Sequence, residues 1–225
     1  MSSHTIKNPS FGHTSEKADH NTREQLLDAA TALFSEQGIA STTVAHIAAH
    51  VGVTSAMVHY YFKTRDQLLN TVIEERIKRF LTYVWDPVTG REDDPFTLAK
   101  DIVIRIIKAS DLMPWIPQLW SREIVNEGGM LREKMIRHIP IDKLKQFEDC
   151  IAAAQKRGIV NPDIDPRWLF ISIIGLTMLP LAAVKIFNRV PTLVALNKDD
   201  LARHIIALLM HGLANPSLGD GTNSG

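Results

Sequence analysis

Apolar residues recur along this chain at spacings of three and four, the period of helices that bury one face. From Thr22 to about Gln37 the stripe is Leu26, Leu27, Ala30, Leu33 and Phe34. Thr22 and Gln25 have capping-box spacing, and Gly38 supplies a stop. Val44, Ile47, Ala48 and Val51 predict a short helix after Thr43, broken at Gly52. Thr54 is placed to cap a third short helix ending near Phe62, with Val58 and Phe62 inward. Thr64 and Gln67 repeat the capping pattern and open a longer helix that turns Leu68, Leu69, Val72, Ile73, Ile77, Phe80, Leu81 and Val84 inward.

The segment DPVTGREDD, residues 86–94, is rich in turn formers and reads as a linker and domain boundary. Beyond it, Asp94-Pro95 is a cap followed by proline in the first turn, and predicts a helix to about Leu112. Pro114 and Pro117 open another that ends at Gly128-Gly129. The stretch from Met130 is interrupted at Pro140 and resumes as a long helix to Gly158. Asp165-Pro166 starts an apolar helix, and a last helix runs from about Lys198 to His211. No strand-like alternation of useful length appears, so the fold class is all-α.

The run WLFISIIGLTMLPLAAV carries no charge. A membrane span needs about 20 apolar residues. This run is shorter and holds Ser172, Thr177 and Pro180, so it predicts a helix buried all round by protein, with no membrane partner. Both chain ends are polar. Residues 1–21 read as a disordered arm and 214–225 as a disordered Gly/Asn/Ser tail.

Composition adds limits. Lys and Arg number 25, as do Asp and Glu, so global charge supplies no attraction to nucleic acid or anionic membrane. The lone cysteine, Cys150, cannot form an intrachain disulfide, which fits a reducing cytoplasm. Glu148 and Asp149 beside it argue for a packed rather than a reactive thiol. His46 and His50 lie one turn apart but have no third ligand nearby in sequence, and read as solvated polar residues rather than a metal site. No catalytic or cofactor motif is present, so no enzymatic activity and no cofactor is expected.

The informative stretch is Thr42 to Leu69, two short helices joined at Gly52: a helix-turn-helix. Its second helix would place N-terminal side chains in the major groove of DNA. Ser55 and His59 can hydrogen-bond base edges or phosphates, Ala56 and Met57 can meet thymine methyls, and Tyr61 also falls outward. Thr43, Tyr60, Lys63 and Arg65 are placed for phosphate oxygens. Between Ser41 and Arg65 there is no Asp or Glu, a local charge pattern that DNA binding favours even in a neutral chain.

The residues Thr22 to Leu69 (TREQLLDAATALFSEQGIASTTVAHIAAHVGVTSAMVHYYFKTRDQLL) resemble the TetR/AcrR family of bacterial repressors. Asp200 to Leu213 is similar to common C-termini of that family. The chain departs from the family where His59 stands for a frequent Tyr, Ala56 for Gly and Arg65 for Lys. The resemblance implies a DNA-binding domain at 22–68 and a ligand-binding and dimerisation domain at 69–213. It implies a four-helix dimer interface built from the last two helices of each subunit, here with Ile173, Leu176, Leu201, Ile205 and Leu208. The function it implies is a repressor that binds a palindromic operator as a homodimer and is released by a small-molecule effector. The residues leave one alternative open: a helical ligand-binding or interaction protein without operator recognition.

For the effector, the stretch from Leu112 to Leu131 is the richest source of candidates. Met113, Trp115 and Trp120 cluster around two prolines, with Arg122, Glu123 or Asn126 able to fix a polar end. Met135, His138, Phe147, Phe170 and Met178 complete the candidate set. These residue types suit an apolar or aromatic effector, and they equally suit plain core packing.

Overall fold

The first helix starts well before its apolar stripe. In the computed structural model, which describes residues 12–86, 94–126, 129–191 and 197–216, α1 spans Gly12–Gln37. Thr22 therefore lies inside a helix instead of capping one, and residues 12–21 are helical where the sequence predicts a disordered arm. The apolar stripe marks where α1 meets a core, whereas the helix itself continues upstream through residues that need no core. After α1 come α2 (Val44–Val51), α3 (Ser55–Phe62) and α4 (Arg65–Val72). A π-helical turn follows at Ile73–Ile77, then α5 at Lys78–Trp85. The sequence predicts one uninterrupted helix here. Apolar spacings of three and four absorb the extra residue of a π turn without breaking the stripe.

Next are α6 (Pro95–Leu112), α7 (Ile116–Leu119), a second π turn (Trp120–Val125), α8 (Arg132–Ile136) and α9 (Ile141–Lys156). The last two helices are α10 (Pro166–Phe187) and α11 (Lys198–Leu213). Three of the caps read from sequence form, at Thr64, Asp94 and Asp165. Asp94 accepts from the Phe96 and Thr97 amides, both at 3.1 Å, and Asp165 accepts from the Arg167 amide at 2.9 Å. No strand occurs among the described residues; a single isolated bridge joins Val160 and Ala214. With the Asn215 side chain donating to the Gly158 carbonyl at 2.8 Å, that bridge ties down 214–215, which the sequence assigns to a loose tail.

The chain divides into two compact units, Met1–Ile73 and Glu74–Gly225. The boundary falls at the first π turn. The linker read at 86–94 is interior to the second unit, and most of it lies outside the described residues. The first unit closes around Leu26, Leu27, Phe34, Ile47, Val58, Phe62 and Leu68, all buried. Buried Thr42 donates to the Gly38 carbonyl at 2.8 Å, which satisfies a hydroxyl that would otherwise be costly to bury. In the second unit, α6 is the central helix: Leu98, Ala99, Ile102, Val103, Ile106 and Ile107 are all buried in one core with residues of α5, α9, α10 and α11.

Candidate nucleic-acid interface and ligand cavity

The turn between α2 and α3 depends on Gly52. Its backbone is left-handed (φ 77°, ψ 29°), and its N–H closes on the carbonyls of Ala48 and Ala49. A β-carbon there would meet nothing within 4 Å, so conformation rather than space requires glycine. This turn sets α3 across α2 and leaves α3 with Val58 and Phe62 buried and Ala56, His59 and Tyr60 exposed, Tyr60 by 61%.

At the C-terminus of α3 the side chains interlock. His59 Nδ1 lies 3.0 Å from the Lys63 carbonyl, Lys63 Nζ donates to the Tyr60 carbonyl at 3.1 Å, and the same ammonium sits 5.7 Å from the Tyr60 ring centroid. Lys63 has φ 55° and is the single described non-glycine residue with positive φ. Such strain gathers at functional positions, and here it falls on an exposed cation at the end of α3. Of the other candidates, Thr43 is exposed and Ser55 and Met57 are half-buried.

Two sequence-assigned DNA contacts are turned elsewhere. Arg65 is half-buried and donates to the Ile39 carbonyl, bracing the loop after α1. Its Nε is buried without a hydrogen-bond partner. The Tyr61 hydroxyl donates to the Asp19 carboxylate, and that hydrogen bond holds the phenol above its ordinary pKa. Both residues reach back across the unit because their neighbours on α1 and the following loop offer acceptors, which helical register alone does not reveal.

One residue was not singled out by sequence as a contact. Thr43 and Thr64 spend their hydroxyls as caps, accepting from the amides of His46 at 3.2 Å and Gln67 at 3.1 Å. Thr54 occupies the equivalent position on α3 but makes no capping bond, and its exposed hydroxyl has no partner among the described residues. A threonine at a predicted cap is the only sequence signal that could have found it. No third ligand-type side chain joins His46 and His50 among the described residues.

The second unit holds an apolar cavity of about 380 Å³. It lies at the lower end of the range for small-molecule sites, roughly 300–1,000 Å³. Both π turns contribute to its wall, Ile77 from the first and Trp120 and Ile124 from the second. π turns often mark functional sites, because the widened backbone re-aims side chains. Of the sequence candidates, Trp120, Met135, Phe170 and Met178 line it. Phe170 is held by Trp85 on one side, with ring centroids 4.6 Å apart, and by Phe147 on another at 6.2 Å.

The remaining candidates are outside the wall. Phe147 is fully buried behind Phe170, and Met113 and Trp115 pack on the core. Arg122 is exposed on the outer side of its π turn. His138 lies 3.5 Å from the Glu74 carboxylate. Sequence missed the aliphatic wall of Ile77, Leu81, Ile174 and others, since these residues are indistinguishable from core by type. Gly129 explains how the second π turn is braced: a β-carbon there would stand 2.0 Å from the Glu123 carbonyl oxygen, so only glycine permits the approach. Glu123 itself is buried and accepts from the Met130 amide at 3.0 Å.

A third surface lies on α10. Within one protomer this helix is not buried all round: 28% of its apolar window is buried, and Trp168, Ile171, Leu179 and Ile186 are more than half exposed. Residues 166–184 are long and apolar enough to cross a membrane, with mean hydropathy 1.8. Of the interface residues assigned by resemblance, Leu208 is 51% exposed, whereas Ile173 and Ile205 are buried in the protomer's own core. Leu176 and Leu201 are half-buried and pack against that core. The exposed stripe runs Trp168, Ser172, Leu179 and Ile186, with the half-buried Gly175 along it, one helical face displaced from Ile173.

Residues 26–72 match the family model for bacterial regulatory proteins of the tetR family. Among curated proteins, the chain is similar to the probable acrEF/envCD operon repressor of Escherichia coli (strain K12). The two are 26% identical over 190 residues, spanning 77% of this chain and 83% of that protein. Among solved structures, the ketosteroid transcriptional regulator KstR2 of Mycobacterium tuberculosis shares the fold with a TM-score of 0.67 at 17% identity, over 86% of this chain and 95% of that one. SmeT, solved as a complex with triclosan, shares it with a TM-score of 0.56 at 22% identity, over 88% and 94% respectively.

Proposed function

We propose that this chain, a member of the TetR/AcrR family of bacterial transcriptional regulators, is a cytoplasmic ligand-responsive repressor that binds a palindromic operator as a homodimer. The observation that carries the reading is the exposed side of α3, a helix that carries no acidic residue. An unspent, exposed Thr54 hydroxyl stands at the start of a helix held by the Gly52 turn, and the exposed His59 imidazole, Tyr60 phenol and Lys63 ammonium gather at its end. Lys63, Tyr60, Thr54 and Thr43 serve phosphate oxygens, while Ala56 and His59, with the half-buried Ser55 and Met57, meet base edges.

With a neutral chain and few cations per subunit, the electrostatic contribution of one subunit is small. Two subunits reading half-sites about 34–36 Å apart supply the rest. The exposed face of α10, together with Leu208 of α11, is the surface we assign to the second copy. Burying that apolar stripe against its own image accounts for a helix otherwise left uncovered. The effector is assigned to the cavity behind Trp120, Met135, Phe170 and Met178, and its apolar wall suits an apolar ligand.

A mobility-shift titration of the pure protein against DNA from upstream of its own gene and its neighbours, at two salt concentrations, tests the reading. Saturable, salt-sensitive binding to one fragment is expected. A folded, dimeric protein that binds all fragments alike would overturn it in favour of a sensor without operator recognition.

A further inference from the structure

Among the described residues, Arg132 is the only charged side chain in the wall of the cavity. Its guanidinium is fixed by the end of the second π turn: Nε donates to the Ile124 carbonyl at 3.0 Å, and Nη2 donates to the Val125 carbonyl at 2.9 Å and to that of Asn126. Three of its five N–H groups are thereby spent on the orphan carbonyls of a helix end. Carbonyls orient the group but do not cancel its charge. No carboxylate among the described residues pairs with it, and the two N–H groups of Nη1 have no protein acceptor there.

A guanidinium held in place, with a free pair of donors beside an apolar chamber, is complementary to one kind of molecule. Arginine matches a carboxylate in charge and in geometry, and the site's side-chain ordering is already in place before binding. Resting on the assignment of this cavity to the effector, we propose that the effector is an amphipathic monoanion: an apolar body seated among Trp120, Phe170 and Met178, and a single terminal carboxylate received by Arg132. A polycation or a sugar would leave this wall unsatisfied, and a molecule with several polar groups would find one partner for them.

The test needs no knowledge of the natural effector. Decanoic acid and decanol, below their aggregation limits, are titrated against the full-length protein while the emission of Trp85 and Trp120 in the cavity wall is followed. A charge-assisted hydrogen bond predicts that the acid binds about ten-fold or more tightly than the alcohol. Arg132→Gln should erase that preference, bringing the ratio of acid to alcohol affinity to about one, and Arg132→Lys should restore part of it. A role confined to bracing the π turn would weaken both probes together and leave their ratio untouched. Equal binding of acid and alcohol to the unaltered protein would overturn the monoanion and leave the cavity as an effector site. Failure of both probes to bind would overturn the cavity assignment as well.

Discussion

The two units of this chain use helices for opposite ends. The first closes around a core of its own that runs from Leu26 to Leu68, and most of its turns are dictated by a residue with a local job, such as Gly52 or the capping hydroxyls of Thr43 and Thr64. What α2 and α3 leave outside is mostly polar, and neither helix carries an acidic residue. The second unit stays open, with a cavity inside and an apolar face outside. A reader of DNA needs a rigid wedge of fixed shape, whereas a sensor needs surface that its own chain does not satisfy. The contrast shows that function lies where packing stops in the second unit and where packing has finished in the first.

The largest expected effect breaks the outer face of the second unit. Trp168→Glu combined with Leu208→Glu should convert the dimer to a monomer by light scattering while helicity by circular dichroism is retained. An intact dimer would place the interface elsewhere. Next is the brace of the cavity wall. Gly129→Ala forces a β-carbon against the Glu123 carbonyl, and overpacking of this kind costs about 1–3 kcal/mol. A fall in thermal midpoint, with weakened binding of apolar probes, is the expected pattern.

In the first unit the effects should be on binding and not on folding. Tyr60→Ala should weaken operator affinity about ten-fold, as expected when an exposed anchor is removed. Lys63→Gly should lower the salt slope by about 1 and leave the midpoint of unfolding in place, because relief of the positive φ offsets the entropy that glycine adds to the unfolded chain. The smallest effect separates two threonines. Thr43→Ala should cost about 1 kcal/mol of stability through its lost cap, whereas Thr54→Ala should leave stability unchanged and lower operator affinity a few-fold. Equal stability losses for the two would show that Thr54 is a cap after all.

The contrast also explains what the sequence could and could not convey. The core of the first unit, its turn and the Thr64 cap follow from spacing and side-chain chemistry within a few residues of each other. Arg65 and Tyr61 escaped because their partners, Ile39 and Asp19, are 26 and 42 positions away. In the second unit the helices were legible but their outward faces were not. Ile173 and Trp168 are both apolar residues of one uncharged helix, and only the packing of α10 against its neighbours decides that the first is core and the second is surface. The π turns left no trace in the apolar period. Arg132 drew no attention because an arginine in a polar stretch is ordinary; its meaning comes from the chamber beside it.

The central claim is that one chain couples this chamber to its grip on DNA. The direct measurement is fluorescence anisotropy of a labelled operator fragment bound by the full-length dimer, titrated with decanoic acid while tryptophan emission reports occupancy of the cavity. The account predicts that DNA is released over the same concentration range in which the cavity fills. A filled cavity with the operator still bound at unchanged affinity would contradict it.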